Sequence, residues 1–126
     1  MGMDFSNSRA IYLQIVDWVC AQIVSGRWPV GERVLSVREL GARLEVKPNT
    51  VMRSYEMLQN QQIIVNKRGV GFFVADEAVE RIKVMRKEQF LNEELPALFA
   101  TMKMLEVPMS EVETLYQQWK QKDSKE

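Results

Sequence analysis

The sequence predicts a mostly helical fold with one small β-hairpin, and three observations support this. Apolar residues recur at helical spacing on both sides of position 60, and Pro48 opens the second helix of a closely spaced pair. The stretch QIIVNKRGVGFFVAD places two apolar runs around a basic, glycine-containing turn. The chain has 126 residues, of which 46% are hydrophobic. That length allows one compact domain, or a small domain with an appendage.

The first predicted helix begins near residue 9 and ends at Gly26, a residue type that commonly follows a helix C-terminus. Pro29 and Gly31 then predict a turn before a new element. One face of the helix carries an apolar residue at every fourth position, and we expect this face to point into the core. These residues are Ile11, Ile15, Val19 and Ile23.

Two short helices follow, joined by a few residues. Ser36 and Glu39 have the spacing of a capping box, in which each side chain accepts a hydrogen bond from the backbone amide of the other residue. The first helix continues through Leu44, and Pro48 takes the first position of the next one, where its missing N–H costs nothing. The inward residues of that second helix are Val51, Tyr55 and Leu58. This arrangement is typical of a helix-turn-helix.

The predicted hairpin lies directly after this pair of helices. Two apolar runs form its strands, and the turn between them contains Lys67, Arg68 and Gly69. A hairpin with a basic tip in this position is a wing. Residues 9–75 are therefore predicted to form a winged helix-turn-helix DNA-binding domain.

Residues 76–122 are predicted to form a short C-terminal helical dimerisation arm. We expect Pro96 to bend or restart the helix, and Ser110 with Glu113 to form a second capping box. Two or three helices cannot bury all the large apolar residues of this segment alone, so we expect a subunit interface. An ordinary intrachain core is the alternative. The residues expected at the interface are Val79, Ile82, Leu95, Leu98, Phe99, Met102, Leu105, Leu115, Tyr116 and Trp119.

The composition argues against an enzyme, a metal site and a cofactor site. Histidine is absent and Cys20 is the single cysteine. These counts remove histidine-based nucleophilic systems, most zinc sites and any disulfide framework. We expect no cofactor, a core position for Cys20 and a reducing cytoplasmic location. No apolar run approaches the roughly 20 residues of a membrane helix, so we expect no membrane partner.

The net charge of zero conceals an asymmetry along the chain. Residues 1–75 contain nine Lys and Arg against six Asp and Glu, whereas residues 76–126 contain eight against eleven. A basic first part followed by an acidic second part indicates that the first part contacts a polyanion.

Five spaced motifs occur in order within residues 9–75: an isoleucine-tyrosine opening, SGRWPVGER, SVREL, PNTV and RGVGFFV. Together they resemble the DNA-binding domain of the GntR family of bacterial transcription regulators. The wording PNTVMRSY is most similar to the YtrA-type subfamily, in which a helical dimerisation arm follows the wing. The 51 residues after position 75 are too few for the large ligand-binding domain of other subfamilies.

This resemblance implies a repressor that binds double-stranded DNA as a homodimer at a palindromic operator. It also implies a bacterial cytoplasmic location, with association to the nucleoid when DNA is bound, and a neighbouring transport operon as the target. The operator, the effector and the regulated genes stay open. One alternative is a winged helix that serves as a protein-interaction module, which predicts no steep salt dependence of DNA binding. An enzyme is a third possibility, without a catalytic constellation to support it.

The sequence departs from the family pattern at five positions. Leu35 stands where proline is common, and Glu45 where the inter-helix turn usually has glycine. Lys47 replaces the usual polar N-cap and cannot accept a bond from the helix amides. Pro48 and Met52 stand where the wider family often has arginine. Base contacts from those two arginines therefore cannot be transferred to this chain.

The candidate DNA contacts rest on chemistry and on the resemblance. Asn49 can pair with adenine or merely satisfy nearby backbone, and Thr50 can bond a phosphate or meet a thymine methyl group. Arg38 matches the DNA-contacting arginine of SVREL, and Arg53 matches the arginine of the YtrA-type wording. Basic groups near the groove and at the wing tip can hold phosphates. The full set is Arg38, Lys47, Asn49, Thr50, Arg53, Lys67, Arg68 and Gly69.

Several of these cations also have a purely local interpretation. Arg38 could pair with Glu39 or Glu45 at the surface, where such pairs are weak. Arg53 could bridge to Glu56 along the helix. The basic wing tip could be a solvated turn.

Overall fold

The computed structural model describes residues 9–124. Within them the chain forms six α-helices and one antiparallel two-stranded sheet, which confirms the predicted mostly helical fold with a small hairpin. The bounds are α1 Ile11–Val24, α2 Val37–Leu44, α3 Pro48–Asn60, β1 Ile64–Lys67, β2 Gly71–Val74, α4 Ala78–Gln89, α5 Leu95–Leu105 and α6 Met109–Ser124. A π-helical segment, Phe90–Glu94, joins α4 to α5. The chain divides into two compact units between Met85 and Arg86.

Helix α1 contributes one apolar face to the core of the first unit. Its buried apolar residues are Ile15, Val16, Val19, Cys20 and Ile23. The core position expected for Cys20 is confirmed, since its side chain is fully buried. The expectation that Ile11 faces the core is wrong, because 45% of this residue is exposed. Ile11 is the first residue of α1 and lies at the rim of the unit, beside the exposed start of α3.

The two helices of the helix-turn-helix are held together by a tight connection. The Ser36 amide donates to Glu39 Oε1 at 2.8 Å and the Glu39 amide donates to Ser36 Oγ at 3.1 Å, which confirms the predicted capping box. At the other end of α2, Glu45 takes a left-handed conformation with φ of 58°. A Cβ atom at Gly41 would lie 2.9 Å from the Val46 carbonyl oxygen, so the turn can close only over a glycine.

The wing has the predicted hairpin form. Ile64 pairs with Val74 and Lys67 pairs with Gly71, which leaves a three-residue loop with Gly69 at φ 77°. The sheet also receives a contact that the sequence does not predict, from the segment that follows the turn at Pro29 and Gly31. Arg33 forms a β-bridge with Phe73, flanked by a 2.9 Å hydrogen bond from the Val34 amide to the Phe72 carbonyl.

Helix α4 completes the core of the first unit. Ala78, Ile82 and Met85 are buried in that core, and Val79 packs partly buried against it. The predicted boundary after residue 75 therefore precedes the division between the two units, which falls within α4. Only 3% of Ile82 is exposed, because the residue is buried in the core of its own unit. The expectation that Ile82 lies at the dimer interface is therefore wrong.

The second unit contains the end of α4, the π-helical segment, α5 and α6. Pro96 is the second residue of α5, but Glu94 and Leu95 before it both keep helical φ and ψ. The helical backbone therefore continues from α4 through the π-helical segment into α5, and the expected restart at Pro96 is not observed. The capping box expected at Ser110 is wrong, because α6 already begins at Met109. The Pro108 carbonyl accepts the first amide bonds of α6, from Glu111 at 3.1 Å and Val112 at 3.4 Å. Between residues 9 and 124 no helix is long and apolar enough to cross a membrane.

Candidate nucleic-acid interface

Helix α3 has a buried apolar side and an exposed polar side. Val51, Tyr55 and Leu58 are buried, as the sequence predicts, together with Ser54. The helix starts at Pro48, and the preceding Lys47 is an extended residue whose side chain makes no cap. The first turn therefore presents the exposed Lys47, with no side chain folded back over the helix end. The exposed residues of the opposite side include Asn49, Met52, Arg53 and Glu56.

The start of α3 and the start of α1 together enclose a shallow depression of about 330 Å³. Its lining residues are Ala10, Ile11, Tyr12, Asn49, Thr50 and Arg53. The structure thus brings three of the predicted DNA contacts to one place. The Asn49 side chain makes no hydrogen bond to any residue from 9 to 124, so the local-backbone interpretation finds no support there.

Arg53 is held by an aromatic ring. Its guanidinium carbon lies 3.8 Å from the ring centroid of Tyr12, a cation–π contact. The alternative bridge from Arg53 to Glu56 is not formed. Tyr12 was not among the sequence-derived candidates, because its contact with Arg53 joins two helices far apart in the chain.

The wing contributes the second group of predicted contacts. Lys67 lies at the end of β1, with its Nζ atom 4.3 Å from the ring centroid of Phe73. Arg68 and Gly69 lie in the exposed loop. Gly69 has a positive φ, and no other group lies within 4 Å of the position that a Cβ would take, so the backbone at the wing tip can approach a ligand closely. These three residues do not line the depression at the start of α3.

A second depression, of about 260 Å³, lies between the start of α2 and the wing. Arg38, the second residue of α2, lines it together with Arg33, Gly71 and Phe72 among others. Arg38 makes no ion pair with a carboxylate in the described part of the chain, so its pairing with Glu39 or Glu45 is not observed. The Glu39 carboxylate instead belongs to the capping box.

Arg33 is a further cation of this depression, and it is not among the residues predicted from the sequence to contact DNA. A Cβ atom at Gly71 would lie 2.8 Å from Arg33 Nε, so the glycine makes room for this side chain against the wing. Hydrogen bonds from the Ser36 amide and side chain hold the pKa of Glu39 below its ordinary value, and the nearby charge of Arg33 acts in the same direction. The available signal was an arginine directly after the predicted turn. Among the described residues, no cluster of acidic residues, His and Cys could hold a metal ion.

A short capped helix, a second helix with a polar and cationic exposed side, and a hairpin with a basic loop define a winged helix-turn-helix DNA-binding protein. The comparisons with known proteins agree. The model for bacterial regulatory proteins of the gntR family matches residues 11–74. The chain belongs to the GntR family and is a DNA-binding transcription regulator, as its sequence motifs predict.

Two relatives from Bacillus subtilis extend this similarity. The HTH-type transcriptional regulator YhcF is 32% identical over 112 residues, which cover 89% of this chain and 91% of YhcF. The HTH-type transcriptional repressor YtrA is 34% identical over 91 residues, 69% of this chain and 70% of YtrA. Among solved structures, a GntR-family regulator from Bacteroides thetaiotaomicron is 46% identical, with a TM-score of 0.76 over 90% of this chain and 99% of that one. These proteins are transcription regulators and not enzymes.

Proposed function

We propose that the protein is a homodimeric repressor that recognises a palindromic operator in the bacterial cytoplasm and associates with the nucleoid when bound. The observation that carries the proposal is the exposed side of α3. There Asn49 and Arg53 line one depression with Thr50, and neither forms an ion pair or side-chain hydrogen bond within residues 9–124. Side chains near the start of a helix are the ones that reach base edges in the major groove.

The chemistry of each group suggests its role. Asn49 has the donor and acceptor pair that matches adenine N6 and N7, and Arg53 has the paired donors that match guanine O6 and N7. Thr50 bonds a phosphate or meets a thymine methyl group. Lys47, directly before α3, and Arg38, near the start of α2, hold phosphates and so fix the register of the protein without reading the sequence.

The wing supplies further backbone contacts. Lys67 and Arg68 reach a phosphate or the minor groove, and Gly69 lets the main chain approach the DNA closely. These cations lie outside the depression at the start of α3. The contacts of the wing are therefore additional to those of α3, and they increase the affinity for DNA.

The homodimer is proposed from the second unit. Most of its large apolar side chains are exposed, including Leu105 and Trp119 at 61% each, and this argues against an ordinary intrachain core. Leu95 is half-buried, and Met102 is the one buried residue described after Arg86. A second copy of the chain would cover this surface. Its exposed members are Phe90, Leu91, Leu98, Phe99, Met104, Leu105, Met109, Leu115, Tyr116 and Trp119.

Repression is proposed from similarity to YtrA, whose name describes it as a repressor. A bound dimer would then block a promoter. The similarity of the PNTVMRSY motif to the YtrA-type subfamily suggests a neighbouring transport operon as the target.

Selection from a random double-stranded DNA pool, followed by a salt titration, tests the proposal. We expect a palindromic sequence with half-sites about one helical turn, roughly 10 bp, or a small multiple apart. Affinity for it should fall steeply between about 50 and 200 mM salt, because phosphate contacts release counterions. Failure to enrich any sequence, together with flat affinity, would favour the protein-interaction alternative. Placing the selected site across a promoter in a transcription assay tests repression separately.

A further inference from the structure

The contact between Arg53 and Tyr12 joins the exposed side of α3 to the first turn of α1. Tyr12 is half-buried, and the Arg53 guanidinium lies against the face of its ring at 3.8 Å. The Tyr12 hydroxyl makes no hydrogen bond to a described residue. Within the described residues, the Tyr12 side chain therefore interacts with Arg53 through its ring and not through its hydroxyl.

The backbone beneath this ring is fixed to α3. Ser54 is fully buried, and its hydroxyl donates to the Tyr12 carbonyl at 2.7 Å. Ser54 directly follows Arg53, so one residue binds the backbone of Tyr12 while its neighbour rests on the ring. The Gln14 side-chain Nε2 also donates to the Arg9 carbonyl at 2.7 Å, which ties the segment before α1 to its first turn. The ring thus lies above backbone that is hydrogen-bonded to the candidate recognition helix.

A guanidinium that is stacked by its face keeps the N–H groups at its edge available. Those N–H groups are the donors that pair with O6 and N7 of guanine. An exposed arginine otherwise samples many rotamers, and the contact with DNA must then restrict them. Stacking in the free protein restricts these rotamers before the DNA binds, so less side-chain entropy is lost on binding. The gain in affinity should therefore apply to base recognition, because the restrained group is the Arg53 guanidinium that is proposed to pair with the base.

We propose that Tyr12 is a positioning residue that holds Arg53 for a paired hydrogen bond to one guanine of the operator, and so determines specificity at that base pair. This rests on the proposed operator recognition by α3. A residue that merely fills the groove between α1 and α3 would alter stability and all DNA binding alike, without dependence on Arg53.

The test compares Tyr12→Leu, which removes the ring, with Tyr12→Phe, which keeps the ring and removes the hydroxyl. Both variants are made in the full chain, alone and together with Arg53→Ala. Affinity is measured for the selected operator, for operators with single guanine replacements and for random DNA. Thermal unfolding followed by circular dichroism shows whether each variant is folded. If Tyr12→Leu is not folded, Tyr12→Met replaces it.

We expect Tyr12→Leu to weaken operator binding by about 2- to 30-fold, the range of a cation–π contact, and to leave random-DNA binding unchanged. The loss should vanish in the Arg53→Ala background and on the operator that lacks the guanine read by Arg53. Tyr12→Phe should bind like the parent chain. Arg43→Ala, which removes an exposed arginine of α2 with no assigned contact, is the matched control for Arg53→Ala.

Three results would overturn the role of Tyr12. Equal loss with Tyr12→Leu in the presence and absence of Arg53 would assign the residue to packing. Unchanged operator affinity would show that the stack does not position Arg53. Equal losses with Tyr12→Phe and Tyr12→Leu would assign the effect to the hydroxyl. A parent chain that enriches no sequence defeats the proposed function itself, whereas these three outcomes leave it standing.

Discussion

The Tyr55 hydroxyl donates a 2.6 Å hydrogen bond to the Leu35 carbonyl oxygen, which ties the middle of α3 to the segment just before α2. The Tyr55 ring also packs edge-on against Phe72 of the wing, with centroids 5.1 Å apart. One buried side chain therefore contacts both the segment that leads into α2 and the wing.

Replacing Tyr55 with phenylalanine should lower the free energy of unfolding by about 1–2 kcal/mol. The substitution keeps the ring and its contact with Phe72, but it leaves the Leu35 carbonyl without its partner. Denaturant unfolding measures the loss. Tyr12→Phe is the control, because that hydroxyl has no hydrogen bond within residues 9–124. Equal stability of the parent chain and Tyr55→Phe would mean that the hydrogen bond contributes nothing net.

The same residue predicts an alkaline limit to stability. Burial raises the pKa of the Tyr55 phenol well above its ordinary value, and the charge of Glu39 adds to this shift. Because the folded-state pKa exceeds the unfolded one, the contribution is complete below about pH 10 and is lost as the pH rises beyond it. We expect the unfolding free energy of the parent chain to fall above about pH 10 more steeply than that of Tyr55→Phe. Parallel curves would contradict this.

The capping box predicts the opposite dependence at low pH. Hydrogen bonds from the amide and side chain of Ser36 lower the pKa of Glu39 in the folded state. The carboxylate therefore stabilises the fold above its unfolded-state pKa of about 4.3, and this contribution disappears as the pH falls through the lower folded value. Glu39→Gln should flatten the acid limb of the stability curve. Ser36→Ala should cost about 1 kcal/mol at neutral pH, from the lost N-cap.

Arg53→Ala and Lys67→Ala should weaken DNA binding in different ways. If Arg53 reads a guanine, its loss costs about 1–3 kcal/mol on the operator and relaxes the preference at one base pair. If Lys67 holds a phosphate, its loss weakens binding to all sequences alike and lowers the salt slope by about one. Affinity on the operator and on random DNA, measured at several salt concentrations, separates the two. Equal effects on both DNAs for both variants would show that Arg53 does not read a base.

Leu98→Glu and Phe99→Glu should convert a dimer to a monomer, because each places a charge in the exposed apolar surface of the second unit. Sedimentation velocity measures the change, with Lys103→Glu on the same helix as the control. Operator affinity should fall by about 10²- to 10⁴-fold when the two half-sites are no longer bound by one particle. If the parent chain and the Leu98→Glu chain sediment alike, the second unit is not the dimer interface.

A truncation aimed at the same question should end after α4. A cut after Asp76 removes Ala78, Ile82 and Met85 from the core of the first unit, so we expect it to destabilise the winged helix as well. A cut after Gln89 keeps these residues and removes the exposed apolar surface.

Local patterns in the sequence predicted the elements that short-range interactions determine. The bonds between Ser36 and Glu39 span three residues, and Pro48 marks a helix start by its own geometry. The hairpin was visible because its two apolar runs adjoin a glycine turn. Each of these features depends on residues within a few positions of one another.

Long-range contacts could not be predicted in this way. The Tyr12 carbonyl and the Ser54 hydroxyl meet across 42 positions of the chain, and no spacing rule points from one to the other. The bridge of Arg33 to Phe73 is a single pair without a strand pattern of its own. The docking of Ile82 into the first unit was likewise missed, since its helical spacing fits a core and an interface equally well.

The close approach at Gly41 has a consequence for redesign. Position 41 admits no side chain, because the Val46 carbonyl oxygen occupies the space, yet Gly41 lies on the buried side of α2 and belongs to neither depression. Positions 49, 52 and 53, in contrast, are exposed on α3. A library that randomises those three positions over a constant Gly41 should therefore yield many folded proteins with altered operator preference. In a selection for folding alone, the same three positions should accept many residue types, whereas position 41 should accept only glycine.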